Sequence, residues 1–596
     1  MTMHQNKIVL LLISIFASVC AAGAADLRVE RSAPGYLAEH RKLFSPEVVQ
    51  VGEWPVWQLK NIDNQMSNSV LIEGESGLIV FDTGASRAHG EAILREIRTL
   101  SDKPVLAVIY SHHHGDHTTG AGAIIDPAVA TASKVQVIAR DNLVSEYVDE
   151  DFLTGPIQTL RSVYMFGGAL DERDLEDYVI GLGGGELPSG QGAFVEPNVD
   201  IIAQKRLKIG GVDIELIPTG GESASHMIGW LASQRIVLTG DEIYPALPNI
   251  HSLRGTKFRD ARNWIDAIDT IIALRPNFVV PSHGPVISGS ENIGNILSIY
   301  RDAIQYQHDQ AVRLINKGYT APEIAETLNE LPPELRLDPY TREMYGTVRH
   351  NVPNIFHGYI SWFSGDAIDL APTPQRDYAR RMVELTGGRA KLLQTMHSSY
   401  SDGEVQFAGE LATLLLRIDS EDAEARQIKS AVLRTLGYQQ ENSNWRSWYL
   451  TAANELDGSF DPTDAWQELR KNVQGEGNLA ALPAVRVLDL LRYRIDPERV
   501  GNNRITLAWY IGEGANPIYT RLRRGVFVVG AKPFDSEAET VLHMERATLD
   551  ALVAGSFDFG ELVRAGRITI EGDPEAAGRL FALQDQLGDR VTLSDR

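Results

Sequence analysis

Cysteine is nearly missing from this chain. One residue, Cys20, stands alone among 596, and it falls in a segment that reads as removable. Lys7 gives a positive start, residues 8–19 are apolar, and Ala22-Gly23-Ala24 offers small residues for cleavage. The expectation is a cleaved export signal over 1–24, placing the mature protein in the periplasm or outside the cell. A lipid anchor on Cys20 is disfavoured, because Val19 stands where such signals carry a small residue. The mature chain then has no thiol, and an exported protein without disulfides must rely on large apolar cores. Long hydrophobic runs are also lacking: the stretch 8–19 is too short to span a bilayer, so no stable membrane anchor is expected. Positive charge is scarce as well. Lys and Arg number 56 against 79 Asp and Glu, for a formal net charge of −23. Such an excess excludes nucleic acid and anionic membrane surfaces as partners. Any anionic substrate must meet positive charge supplied locally, by metal ions and a few arginines. Low-complexity tracts and short-period repeats are absent too.

What remains is too long for one hydrophobic core. From about residue 26 to 370, apolar stretches at 70–73, 77–81, 105–110, 212–217 and 235–238 read as strands. Helical patterns at 89–100 and 261–274 lie between them, which indicates an α/β layered domain. Residues 150–197 are Gly-rich with little periodicity, and a stretch of that length is expected to cover an active site. After Pro372-Thr-Pro374 the pattern turns helical with charged faces to about residue 468, and strands return from about 479. The expected divisions are 1–24, 25–372, 373–476 and 477–596.

The chemistry concentrates in Tyr110-Ser-His112-His113-His114-Gly115-Asp116-His117, directly after an apolar strand. His112, His114, Asp116 and His117 are imidazole and carboxylate donors suited to zinc or another first-row ion. On extended backbone His112 and His114 face one side and can reach one ion, while Asp116 and His117 can address a second. Further candidates repeat one arrangement, a ligand delivered from a strand end: His226 after Thr219-Gly-Gly221, Asp241 after 235–240, and His283 after 277–280. Asp82, after the strand at 77–81, is expected to orient a ligating histidine.

This pattern resembles the metallo-β-lactamase superfamily, whose members share a His-x-His-x-Asp-His signature. The resemblance implies an αββα sandwich and two divalent metal ions, with zinc expected. It assigns His112, His114 and His226 to one ion, Asp116, His117 and His283 to the other, and Asp241 to both. No organic cofactor is implied.

Within the superfamily the chain is similar to the alkyl sulfatases. The similarity rests on Asn249, Leu253-Arg254-Gly255, Tyr306-Gln-His-Asp-Gln310, Met344-Tyr345-Gly346, His350-Asn351, Tyr359-Ile-Ser-Trp362-Phe363 and Asn444-Trp-Arg446. That family implies a helical dimerisation domain, hence a homodimer, and a small α+β domain like sterol carrier protein 2. It implies hydrolysis of an anionic amphiphile, an alkyl sulfate, with Asn249, Arg254 and Tyr345 at the sulfate group and Asp116 among the catalytic residues. Arginine offers a planar fork of donors for an oxyanion, and Asn and Tyr add neutral donors. Alkyl sulfatases usually carry glutamate where this chain is read to have His226 and Asp241. Glu222, four residues before His226, is not counted as a ligand. That first shell is closer to thioesterases and phosphodiesterases of the fold, so a phosphodiesterase is the alternative. No general acid is identified.

Overall fold

The computed structural model describes residues 27, 29–126, 134–171, 174, 181–182, 190–473, 475–534, 538–585 and 591–594. The export segment 1–24, with Cys20, lies outside the described residues.

Two sheets stack face to face. The first contains β1 (Glu47–Gln50), β2 (Val56–Lys60), β3 (Ser69–Glu73), β4 (Leu78–Phe81), β5 (Val105–Ile109), β6 (Gln136–Arg140) and β7 (Val199–Ile201), hydrogen-bonded in that order. It is antiparallel as far as β4 and parallel from β4 to β7. The second contains β8 (Lys205–Ile209), β9 (Val212–Pro218), β10 (Met227–Leu231), β11 (Ile236–Gly240), β12 (Phe278–Pro281) and β13 (Ile287–Ser288), in the order β13-β12-β11-β10-β9-β8. Only β11 and β12 pair in parallel there. Strands β4, β10 and β11 are buried along their whole length, which is why they read as unbroken apolar runs rather than alternating ones.

Between the sheets, Ile72, Ile79, Phe81 and Ile109 meet Ile214, Leu216, Leu238 and Val280. The outer face of the first sheet is covered by the helix Arg87–Leu100, through Ile93 and Ile97. The outer face of the second is covered by Ala261–Leu274 and Ser290–Ile315. Trp264, Ile268 and Ile271 recur at helical spacing, and Asp260 caps the first of these helices by accepting from the Arg262 amide. The result is the αββα sandwich.

Two further units follow. Helices Gln375–Leu385, Arg389–Ser401, Val405–Ile418, Ala423–Tyr438 and Ser443–Asp457 enclose Leu392, Met396, Leu415 and Ile428. A second mixed unit holds β14 (Arg504–Ile511), β15 (Ile518–Arg523), β16 (Val526–Gly530), β17 (Thr540–Met544) and β18 (Ile568–Gly572), in the order β16-β15-β14-β17-β18. Its core, with Trp509, Leu522 and Leu542, is continuous with the outer face of the first sheet through Phe194, Val195 and Leu479.

The stretch 150–197 departs from its sequence reading. Within it the helix Gly155–Met165 is regular, with Pro156 in its first turn where no amide is needed. Residues 172–173, 175–180 and 183–189 lie outside the described residues. This helix packs on the helical unit: Arg161 lies over the Trp448 ring at 5.0 Å, and the Tyr164 ring lies tilted against Trp448 with centroids 5.5 Å apart. The Tyr164 hydroxyl donates to Glu455 Oε2 at 2.5 Å, and both residues are buried. Tyr164→Phe withdraws a donor from a buried carboxylate and should cost about 1–3 kcal/mol. An unchanged thermal unfolding midpoint would show that this bond does not hold the two units together.

Candidate metal centre

Strand ends deliver the donors. The chain leaves β5 at Ile109 and passes buried Tyr110, whose hydroxyl donates to the Val195 carbonyl at 3.0 Å. His112 and His114 follow, and the single turn Gly115–Thr118 carries Asp116 and His117. Asp241 follows β11 directly, His283 comes two residues after β12, and Glu222 sits in the turn after β9.

The donors form two touching groups. In one, Asp116 Oδ2 lies 3.3 Å from His117 Nε2 and 3.4 Å from His283 Nε2. In the other, His112 Nε2 and His114 Nδ1 are 2.7 Å apart, with Glu222 Oε2 at 3.7 and 3.5 Å. Asp241 Oδ2 stands between them, 3.2 Å from His283 Nε2, 3.5 Å from His117 Nε2 and 4.0 Å from His112 Nε2. All are buried except Asp116, which is partly exposed. His117 Nε2, Asp241 Oδ1 and Glu222 Oε2 are buried without a hydrogen-bond partner. Dry polar atoms left this way are costly, and the donor set fits divalent cations such as zinc. The residues therefore fit the metal ions that the sequence implies.

Neighbouring groups orient these donors. Asp82, with a left-handed φ of 58°, accepts from the Ser111 amide and hydroxyl at 2.8 and 2.9 Å and from Ser282 at 2.6 Å. The same carboxylate holds His117 Nδ1 at 3.0 Å, which turns Nε2 toward the cluster. His283 Nδ1 faces the carbonyls of Met66 and Leu182 at 2.8 and 3.0 Å, with the same effect. Burial opposes charge on His283, yet the Asp241 and Asp116 carboxylates push it up to about 10. His112 is pushed well below the usual imidazole range, first by burial and then by His117, His114 and His226. One end of the centre thus has surplus carboxylate, and the other is rich in imidazole.

His226 is a correction. Its Nε2 accepts the Asp241 amide at 3.0 Å, and its Nδ1 faces Glu242 Oε1 at 3.1 Å. Both ring nitrogens are engaged, and His226 supports the cluster from behind. Glu222 takes the place beside His112 and His114. The turn after β9 is held by Glu242, which accepts from the Thr219 hydroxyl at 2.5 Å and from the amides of Gly221 and Glu222 at 3.2 and 3.1 Å. Buried Arg259 fixes Glu222 Oε1 at 2.5 Å. Strand-end position does not separate the two: Glu222 comes four residues after β9, His226 adjoins β10, and both lie in the loop between.

The three residues expected at the substrate line the same region. Arg254 Nη1 donates to Gln158 Oε1 at 2.8 Å, and Nη2 faces Glu150 Oε1 at 3.3 Å. That Glu150 oxygen lies 3.6 Å from His114 Nε2, so one carboxylate joins Arg254 to the metal donors. The Asn249 backbone N–H donates to the Tyr244 hydroxyl at 2.9 Å, and its backbone carbonyl accepts from Arg259 at 3.0 Å. Tyr345 is stacked parallel to Phe166, and burial pushes its phenol up to about 12, so it keeps its proton at neutral pH. Sequence reasoning gave no role to Glu150, Arg259 or Glu242. They are single residues whose meaning comes from contacts with distant segments.

Comparisons with known proteins bear on this centre. Residues 62–283 match a model of the metallo-β-lactamase superfamily, 320–459 one described as alkyl sulfatase dimerisation, and 472–590 one described as alkyl sulfatase C-terminal. A linear primary-alkylsulfatase of a Pseudomonas species is 36% identical over 524 residues, covering 87% of this chain and 97% of that one. The chain belongs to the alkyl sulfatase family. An (R)-specific secondary-alkylsulfatase, also of Pseudomonas, is 29% identical over 90% of this chain and 81% of its own. The solved stereoselective inverting sec-alkylsulfatase Pisa1 from Pseudomonas superposes with a TM-score of 0.86 at 27% identity, over 95% of this chain and 90% of that one. With Glu222 beside His112 and His114, the first of the two apparent departures from the family disappears, and only Asp241 remains.

The corrected donor set has a direct test. Glu222→Ala should lower bound metal measured by elemental analysis. His226→Asn should keep both ions at saturating metal, with about a ten- to hundredfold loss of affinity, as for groups behind the donors. Metal loss confined to the His226 variant would restore that residue as the ligand.

Proposed function

We propose that this chain is an exported, homodimeric hydrolase that cleaves alkyl sulfate esters to an alcohol and inorganic sulfate. The observation that carries this reading is the guanidinium of Arg254, joined through Glu150 to His114 and lying near the phenol of Tyr345. Oxyanion donors of this kind beside a two-part donor cluster suit a sulfate ester, and the relatives named alkylsulfatases support that substrate class.

We assign two divalent ions per chain, zinc by donor chemistry, to His112, His114 and Glu222 and to Asp116, His117 and His283, with Asp241 serving both. Bound there, such ions supply Lewis acidity and activate water near neutral pH. The chain's own residues do the rest. Arg254, held by Gln158 and Glu150 in this structure, would turn its planar fork to two sulfate oxygens, and the Asn249 side-chain amide and Tyr345 hydroxyl would add neutral donors. Water attacks, the ester bond breaks, and the departing alkoxide must take up a proton. Donors fixed in advance at the sulfate stabilise charge as it shifts.

The phosphodiesterase alternative loses the support of His226 and retains only Asp241. Export rests on the segment 1–24. Dimerisation rests on the helical region and on large apolar side chains exposed near its start, Trp362, Ile368, Leu370, Tyr378 and Leu385, which a second copy could cover. No helix among the described residues is long and apolar enough to cross a membrane.

Arg254→Lys keeps the charge but loses the fork. It should cut turnover of a medium-chain alkyl sulfate about a hundredfold with metal content unchanged. Near-normal turnover in both the Lys and Ala variants would remove Arg254 from the site, and a wild type that cleaves phosphodiesters but not alkyl sulfates would overturn the assignment. Sedimentation at micromolar concentration should find a dimer; a fully active monomer would refute the pairing.

A further inference from the structure

The helix Ser443–Asp457 belongs to the helical unit, yet its first turn reaches into the substrate region. Asn442 Nδ2 donates to the carbonyl of Tyr345 at 3.0 Å, Ser443 Oγ to that of Met344 at 2.7 Å, and Asn444 Nδ2 to that of Tyr345 at 3.1 Å. Trp445 Nε1–H donates to His350 Nδ1 at 3.0 Å. The other nitrogen, His350 Nε2, lies 3.4 Å from Asn249 Oδ1.

The polarity of this chain of contacts is fixed at its outer end. An indole N–H can only donate, so His350 Nδ1 must accept and the imidazole proton must sit on Nε2. Burial, with His251 nearby, pushes His350 down to about 3, so the ring is neutral and carries that one proton. An Nε2–H can only donate, so Asn249 must turn its carbonyl oxygen toward His350. Its Nδ2 then points the other way. That nitrogen is buried without a hydrogen-bond partner, and Tyr345 is its near neighbour.

We infer that Trp445 is a positioning residue for the substrate site: through His350 it orients the Asn249 side chain so that Nδ2 faces the sulfate. The same turn of helix fixes the backbone that carries Tyr345. Two of the three sulfate donors are thus held from the helical unit, and the sandwich alone does not complete the site. This inference rests on the proposed sulfatase reading only for the identity of the ligand.

Trp445→Phe keeps an aromatic ring, though a smaller one, and deletes the N–H. Titration of the metal-loaded enzyme with inorganic sulfate should show about tenfold weaker binding in this variant, a cost in line with a misplaced donor. In the Asn249→Ala background the same change should cost almost nothing, because the group it orients is gone. Unfolding midpoint and metal content control for general damage, which would add to the Asn249 loss rather than vanish into it. Nitrogen NMR of labelled histidine provides a readout independent of any ligand: His350 should carry its proton on Nε2 in the wild type and lose that fixed tautomer in Trp445→Phe. Additive losses, or a wild-type proton on Nδ1, would overturn the relay. A wild type that binds sulfate through this relay but leaves alkyl sulfates intact would sink the proposed substrate and leave the relay standing.

Discussion

Charge balance in the dry end of the sandwich governs the rest of this structure. Six carboxylates meet there: Asp82, Asp116, Glu150, Glu222, Asp241 and Glu242, all buried except the partly exposed Asp116. Two guanidiniums face them, Arg254 and Arg259. With neutral imidazoles the group carries an excess of four negative charges, which a low-dielectric site cannot hold uncompensated. The two divalent cations proposed for this centre would supply the missing four positive charges. Without them the histidines must take up protons, and the upward shift of His283 and His117 expresses that demand. The net charge of −23 over the chain makes the local balance more consequential. An anionic substrate has to find its positive charge at this centre.

Much of this was legible in the sequence, for a topological reason. Strands β4, β5, β11 and β12 are buried where they end, at one edge, so a polar residue just past an apolar run is carried to that edge. Asp82, His112, His114, Asp241 and His283 follow that rule. Glu222 and His226 do not separate by it, because both lie in the loop between β9 and β10. The path of that loop is set by Glu242 on a different strand end. Helix Gly155–Met165 was hidden differently. Its buried face is made by Trp448, Phe460 and Trp466, some three hundred residues away, so the local pattern of the segment carries little sign of helix.

Three units of the chain converge on one site. The sandwich provides the donors, residues 143–165 provide Glu150 and Gln158 against Arg254, and the helical unit provides the turn at 442–445. The C-terminal unit is tied in by a core continuous with the first sheet. Sites built on rigid elements hold their donors more accurately than sites on loops. Here rigidity comes from shared cores and from hydrogen bonds that cross unit boundaries.

The remaining departure from the family, aspartate at 241, raises the question of reach. A side chain one methylene shorter must still stand between two groups of donors. The backbone makes up the difference. Gly240 has a left-handed φ of 52°, and a Cβ there would come within 2.6 Å of His226 Nε2 and 2.7 Å of Ser111 Cβ. Only glycine permits so close an approach. The Asp241 amide is drawn back onto His226, and His226 is anchored by Glu242. Drawn in this way, the backbone brings the shorter carboxylate within 4.0 Å of His112, His117 and His283 together. Gly240, His226 and Glu242 therefore form one unit with Asp241, and the histidine first taken for a ligand holds in place the backbone that lets an aspartate serve.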